Sequence, residues 1–215
     1  MKFLNYDSPF MAFLRKLVDY MLVGILWVIT CIPVFTYGAA TTAALLTLEI
    51  SIRKDGYGIW VTFWKWFRKD FKESTLLWLL WFPIQCIATA NIWLVYQSQL
   101  APWLQVVIYV ATGFLFCWSQ LWFGYLSKFD DRIPVVLGNT FRMILGSIGR
   151  AILIFLNLVI HIVAAVLLLL WMSPLLLLVP GSYLACYASL IGKLFAKYLP
   201  KSGEEESSEE IPDET

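Results

Sequence analysis

Charged side chains are scarce in this chain. Lys, Arg, Asp and Glu make up 14% of its 215 residues, against about 25% in soluble globular domains, which excludes an ordinary water-exposed surface. Histidine occurs once, at His161, and cysteine four times, at Cys31, Cys86, Cys117 and Cys186. The cysteine spacings match no metal or redox motif, and each cysteine falls inside an apolar stretch, where it acts as a small hydrophobe. The sequence contains no HExxH, no GxSxG and no phosphate-binding loop. With a single histidine and no paired carboxylates at membrane depth, hydrolytic machinery is missing. The expectation is a protein that is not an enzyme, with no catalytic residue, no metal and no cofactor.

Apolar residues are abundant instead. They make up 60% of the chain, with 11 Trp, 15 Phe and 10 Tyr, and the mean hydropathy is +0.73. A bilayer core about 30 Å thick takes about 20 residues of helix. Six segments approach that length, at 17–35, 36–52, 75–96, 103–126, 151–172 and 174–198. The second is the weakest, with Thr36, Thr41, Thr42, Thr47 and Glu49 inside it.

The basic residues decide how these segments thread. They cluster at Arg15 and Lys16, from Arg53 to Lys72, from Lys128 to Arg150, and from Lys193 to Lys201. Cytoplasmic loops retain Lys and Arg, so all clusters belong on one side. Arg15/Lys16 and Arg53/Lys54 then require the chain to turn back near Tyr37, with Pro33 close by to end or kink a helix. The fold expected is an all-α integral membrane protein with six transmembrane helices as three hairpins. Outer turns are short and uncharged, and both termini are cytoplasmic. The N-terminal apolar run reads as a span rather than a cleaved signal, because its basic region is long and further hairpins follow.

A second kind of segment precedes each hairpin. In 59–72, Phe63, Phe67 and Phe71 recur every four residues, opposite Lys65, Arg68, Lys69 and Lys72. Such a helix suits the inner headgroup region, with membrane lipids and anionic headgroups as partners. Residues 135–148 and 9–16 repeat the pattern. The chain thus reads as three parallel copies of an amphipathic helix and two crossings within one membrane domain, 1–200. The acidic tail 201–215 has no aromatics and reads as disordered: Gly203 to Thr215 carry seven acidic groups and no base. The basic clusters abut spans, so lipid explains them better than nucleic acid, which is not expected as a partner.

Polar groups inside spans are functional candidates by default. His161 and Asn157 lie one turn apart on one face of the fifth span, as a proton or substrate contact or as an interhelical bond. Asp19 and Glu49 sit near the inner ends of the first two spans, as polar contacts or as ion pairs with Arg15 or Lys16 and with Arg53. Gln85, Asn91, Gln105 and Gln120 suit interhelical hydrogen bonds. Small residues, among them Gly181, Ala185 and Gly192 on the last span and Gly38, Ala39, Thr42 and Ala43 on the second, mark faces that approach another helix or another copy, so a homo-oligomer stays open.

The stretch Leu26-Trp27 through Pro33-Val34-Phe35-Thr36-Tyr37-Gly38-Ala39-Ala40-Thr41-Thr42-Ala43 resembles the signature of the YesL-type bacterial membrane proteins, a family with a domain of unknown function. Phe63, Phe67 and Phe71, followed by Thr75-Leu76-Leu77-Trp78-Leu79, are similar to its second block, and Asp19 to its acidic position. Gly24 departs from the asparagine common there. The resemblance covers roughly residues 10–195 and implies a multi-pass protein of the cell (inner) membrane of a Gram-positive bacterium. It implies no established activity, but a link to saccharide import, since such proteins are encoded beside carbohydrate ABC transporters. A glycosidase role is not expected, because the acid pair is missing. The expectation is an accessory membrane subunit bound to the permease subunits of an oligosaccharide ABC importer. The alternative is an independent small-molecule transporter or channel, oligomeric if need be, with His161, Asn157 and Asn91 along its path.

Overall fold

A computed structural model describes residues 9–53, 58–98, 100–129, 131–171 and 174–198, and every regular element among them is helical. Helix α1 (Pro9–Cys31) is one unbroken helix of 23 residues. The expected division into an amphipathic piece 9–16 and a span from 17 is therefore corrected: no proline intervenes before Pro33, and nothing stops the helix at Lys16. The chain turns through a short 3₁₀ segment, Val34–Thr36. The Thr36 hydroxyl fastens this turn by pointing at the carbonyls of Thr30 and Pro33.

Helix α2 (Tyr37–Thr47) follows and ends in a π-helical turn, Leu48–Arg53. Helices α3 (Ile59–Lys69) and α4 (Phe71–Gln97) are separated at Asp70 alone. The expected helix 59–72 thus stops short, and Phe71 and Lys72 open α4 instead. Helix α5 (Pro102–Leu126) begins on its proline, whose missing N–H costs nothing in a first turn. Helix α6 (Ile133–Gly146) is followed by α7 (Ile148–Leu170). A 3₁₀ turn, Pro174–Leu177, leads into α8 (Leu178–Phe195). The acidic tail, the Arg53 side chain, Lys54 and Tyr57 lie outside what is described.

Four of these helices are long and apolar enough to cross a membrane: α4, α5, α7, and α8 with its preceding turn. Helix α1 matches them in length but carries Arg15, Lys16 and Asp19. Helix α2 has 11 residues, or about 17 Å at 1.5 Å per residue, short of the bilayer core. Its environment explains how it persists. Residues from Gly38 through Leu45 are all buried, and α1, α3, α4, α5 and α8 all pack against it. A Thr- and Ala-rich helix that meets protein on every side needs no lipid-compatible surface.

The outer surface is the reverse. On α7, Ile152, Leu153, Leu156 and Ile160 are exposed, while Ala151, Ile154 and Asn157 form a narrow buried stripe. The amphipathic helices lie differently from the repeat read in the sequence. Helix α3 packs mainly on α2, and α6 mainly on α5, so each folds back on the helix before it rather than leading the one after. Phe63 and Thr62 of α3, and Val136 and Thr140 of α6, are the buried anchors.

Two close crossings hold the bundle. A Cβ on Gly24 would lie 2.5 Å from the Gly181 nitrogen, and one on Gly181 would strike the Tyr20 carbonyl. At the second crossing, a Cβ on Gly38 would strike the Ser74 carbonyl. In a bilayer such backbone contact replaces the hydrophobic drive, since lipid tails are as apolar as leucine. By contrast, Gly113 in the middle of α5 has nothing near its missing Cβ. Gly181→Leu should therefore destabilise the protein by about 1–3 kcal/mol or more. Gly113→Ala should be neutral or stabilising by up to about 1 kcal/mol. Thermal unfolding of both variants in the same detergent checks the contrast.

Candidate functional site

The polar residues of the interior gather where α1, α2, α5, α7 and α8 meet. The Trp27 indole donates to the Thr41 hydroxyl at 3.0 Å, and that hydroxyl donates on to the Tyr37 carbonyl at 2.8 Å. The Tyr37 phenol lies within hydrogen-bonding reach of Thr41 and Gln120. Its ring is packed between Trp27, Trp78 and Phe123, with centroids 4.5–6.0 Å away. From α8, the Tyr183 hydroxyl donates to the Gln120 side-chain carbonyl at 3.3 Å, and the Tyr187 hydroxyl donates to the Gln120 backbone carbonyl. The Tyr183 and Tyr187 rings stack at 5.8 Å, one helical turn apart. Gln120 therefore ties α5 to α8 twice.

His161 and Asn157 join this cluster at its edge. Asn157 is buried, and its amide donates to the Tyr183 carbonyl at 3.4 Å. His161 Nδ1 lies 2.7 Å from the Asn157 carbonyl, and its ring meets Tyr183 edge to face at 5.7 Å. The structure thus brings together His161, Asn157, Trp27, Thr41 and the adjoining motif residues. Asn91 stands apart, exposed on α4. Within one copy, α4 packs mainly on α2 and α5, while Asn157 of α7 faces α8.

The remaining motif residues build the turn and the packing around it. Pro33 caps the 3₁₀ segment, Ala39 and Ala40 are fully buried, and Thr42 faces the Ser74 hydroxyl at 3.2 Å. The Trp78 indole donates to the Val34 carbonyl at 2.7 Å, which pins the outer turn to α4. On α6, Thr140 accepts from the Trp118 indole at 3.1 Å. Neighbouring helices are latched by single polar bonds in this way. Among the amides expected to do the same, Gln105 instead bonds to the Leu100 carbonyl at its own helix start. The Gln85 amide and the indole nitrogens of Trp81 and Trp122 are buried with no protein partner among the described residues.

Glu49 pairs with Lys128, while the expected pairing with Arg53 falls on a side chain outside the described residues. The π-helical turn re-aims Glu49 sideways, toward the loop after α5. Asp19 lies half-buried one turn after Arg15 and feels its charge. Two of the cysteines, Cys86 and Cys186, are exposed on helix surfaces. On α3, Phe63 is buried and stacks on Phe67 at 6.0 Å, and Phe67 meets Phe71 of α4 at 5.5 Å. Trp60, Val61, Lys65 and Arg68 stay exposed. No group of three or more His, Cys, Asp or Glu able to hold a metal occurs among the described residues.

Sequence reasoning singled out His161 and Asn157 but missed Tyr37, Tyr183 and Tyr187. Their signal was weak: two tyrosines at i and i+4 on a small-residue face, and one tyrosine inside a motif.

An all-helical interior sealed by aromatic and hydroxyl groups, within a coat of exposed apolar side chains, is that of a multi-pass membrane protein. Over residues 20–92, from α1 into α4, the chain matches a family described as Protein of unknown function, DUF624. No curated protein and no solved structure matches it. The matched region holds Trp27, Tyr37, Thr41 and the Gly38–Ser74 crossing, while Gln120, His161 and Tyr183 lie beyond it.

If Thr42 and Ser74 bond across α2 and α4, a double-mutant cycle of Thr42→Val and Ser74→Ala should give a coupling energy of about 0.6 kcal/mol, the usual scale for such bonds in bilayers. A coupling of zero by unfolding in detergent would remove that latch. Likewise, Glu49→Lys should destabilise the protein, and adding Lys128→Glu should recover part of the loss, since the pair is only partly exposed.

Proposed function

We propose that the chain is an accessory membrane subunit that associates with the permease subunits of a bacterial carbohydrate ABC importer. The observation that carries this reading is the occupied centre. Helix α2 fills the bundle axis, and Trp27, Tyr37, Trp78 and Phe123 close around its outer end. A carrier needs a polar site open to alternate sides, and this interior is spent on packing. The resemblance of 26–43 and 63–79 to YesL-type proteins adds the importer as the partner. Aromatic and basic groups exposed on α3 favour anionic lipid headgroups as a second partner.

In this reading α1 and α2 cross the membrane with the four longer helices. That gives six spans in three hairpins, with both termini in the cytoplasm of a bacterial cell. Helix α2 completes its crossing with the flanking 3₁₀ and π-helical turns. The competing reading is an independent transporter or channel, possible as an oligomer, and one observation favours it: the chain of polar contacts from Asn157 through Tyr183 to Gln120.

Two experiments test these statements. In a cysteine-free background, Phe35→Cys and Ser98→Cys should react with an impermeant maleimide from outside intact cells, and Gly58→Cys only after lysis. Labelling of Phe35→Cys solely from the cytoplasm would refute the six-span topology. A mild-detergent pull-down from the native host grown on complex glycans should recover ABC permease subunits in stoichiometric amount. Recovery of the chain alone or with itself would replace the accessory role with the transporter.

A further inference from the structure

One side of the molecule carries a groove that the polar cluster only touches. Helix α8 forms its floor, with α1 and α7 as walls. One part, of about 190 Å³, is lined by Trp27, His161, Ile162 and Tyr183. A second part, of about 320 Å³, is lined by Ile25, Val28, Ile29 and Leu176. The two parts share Ala165, Val179 and Pro180, so they adjoin. Together they reach the size range of small-molecule sites. His161 and the Tyr183 phenol are the ionisable groups on these linings, and the Tyr183 hydroxyl is already spent on Gln120.

The hydrogen bonding of His161 defines what the groove asks for. Its Nδ1 faces the Asn157 carbonyl at 2.7 Å. A carbonyl can only accept, so in the neutral ring the proton sits on Nδ1 and Nε2 is left as the acceptor. Among the described residues no protein donor reaches Nε2. An acceptor left bare in hydrocarbon is costly. The occupant that satisfies it must therefore bring an O–H or N–H.

Depth narrows the class further. His161 lies 9 residues before the end of α7 at Leu170, or about 13 Å along the helix at 1.5 Å per residue. Phosphate and ammonium headgroups do not reach that depth at acceptable cost, whereas a single hydroxyl does. The apolar part of such a molecule gains little by leaving lipid for the slot, because both are hydrocarbon. Selection rests on the hydrogen bond.

We propose that this groove binds an uncharged, membrane-dissolved molecule with one hydroxyl on a long apolar body, of the long-chain or isoprenoid alcohol class. The hydroxyl donates to His161 Nε2, and the apolar body lies along α8 toward Leu176. This site is independent of the importer reading.

Because the chain has one histidine, its imidazole can be watched alone. The full-length protein, purified without a histidine tag and labelled with ¹⁵N-histidine, is placed in phosphatidylcholine nanodiscs and titrated with 1-hexadecanol or with methyl palmitate, a similar chain without a donor. The expected result is a saturable shift of the Nε2 resonance with the alcohol and none with the ester. Ala165→Leu, which narrows the junction of the two parts, should weaken the response at least tenfold, while the Nδ1–H signal shows that α7 is intact. Equal response to both probes, no response to either, or an unchanged titration in Ala165→Leu overturns the proposal. So does an Nε2 shift that appears without alcohol when two copies share a nanodisc, since a second chain would then be the donor.

Discussion

Backbone meeting backbone at three glycines is the constraint on which the rest of this bundle depends. Gly24 and Gly181 let α1 and α8 touch, and Gly38 lets α2 lie against the Ser74 carbonyl of α4. Inside a bilayer there is no water to expel between helices, so affinity must come from contact area and from hydrogen bonds. Once the main chains are this close, short hydroxyls suffice to bond across the gap, as Thr42 and Ser74 do. Larger side chains at the crossings would separate the helices and put those bonds out of reach.

The same constraint explains why the polar cluster is aromatic. Around a helix of Gly, Ala and Thr the space is irregular, and Trp27, Tyr37, Tyr183 and Tyr187 fill it with flat, rigid surface. Three of these rings also carry a donor that ends on a specific acceptor. Trp27 ends on Thr41, and Tyr183 and Tyr187 both end on Gln120. Packing and hydrogen bonding are served by the same side chains. His161 and Asn157 extend the arrangement to α7, whose remaining surface faces outward.

Much of this was legible in the residues, for stated reasons. Apolar length marks α4, α5, α7 and α8, and the expected span 103–126 begins one residue inside α5. The buried stripe of α7 follows from Asn157 and His161 lying one turn apart. Other features were not legible. Helix periodicity reports which face is polar but not which neighbour it meets, so nothing in the spacing points to Lys128 as a partner of Glu49. Gly24 reads as a departure from a motif, and only its crossing with Gly181 gives it a physical role. The continuity of α1 was hidden because a change of composition at Lys16 resembles a boundary where the backbone has none. The direction in which α3 and α6 fold is likewise a property of packing, which no single segment encodes.

Helix α2 has a consequence for the order in which the protein can be made. It is too short and too rich in hydroxyls to rest against lipid, yet it leaves the ribosome well before α8. Its protein sheath is completed by Tyr183 and Leu184 of α8, which pack with Ala43, Ala44 and Leu48. Until α8 arrives, α2 must be held by the insertion machinery or by the helices already made. Two segments far apart in sequence thus mature together.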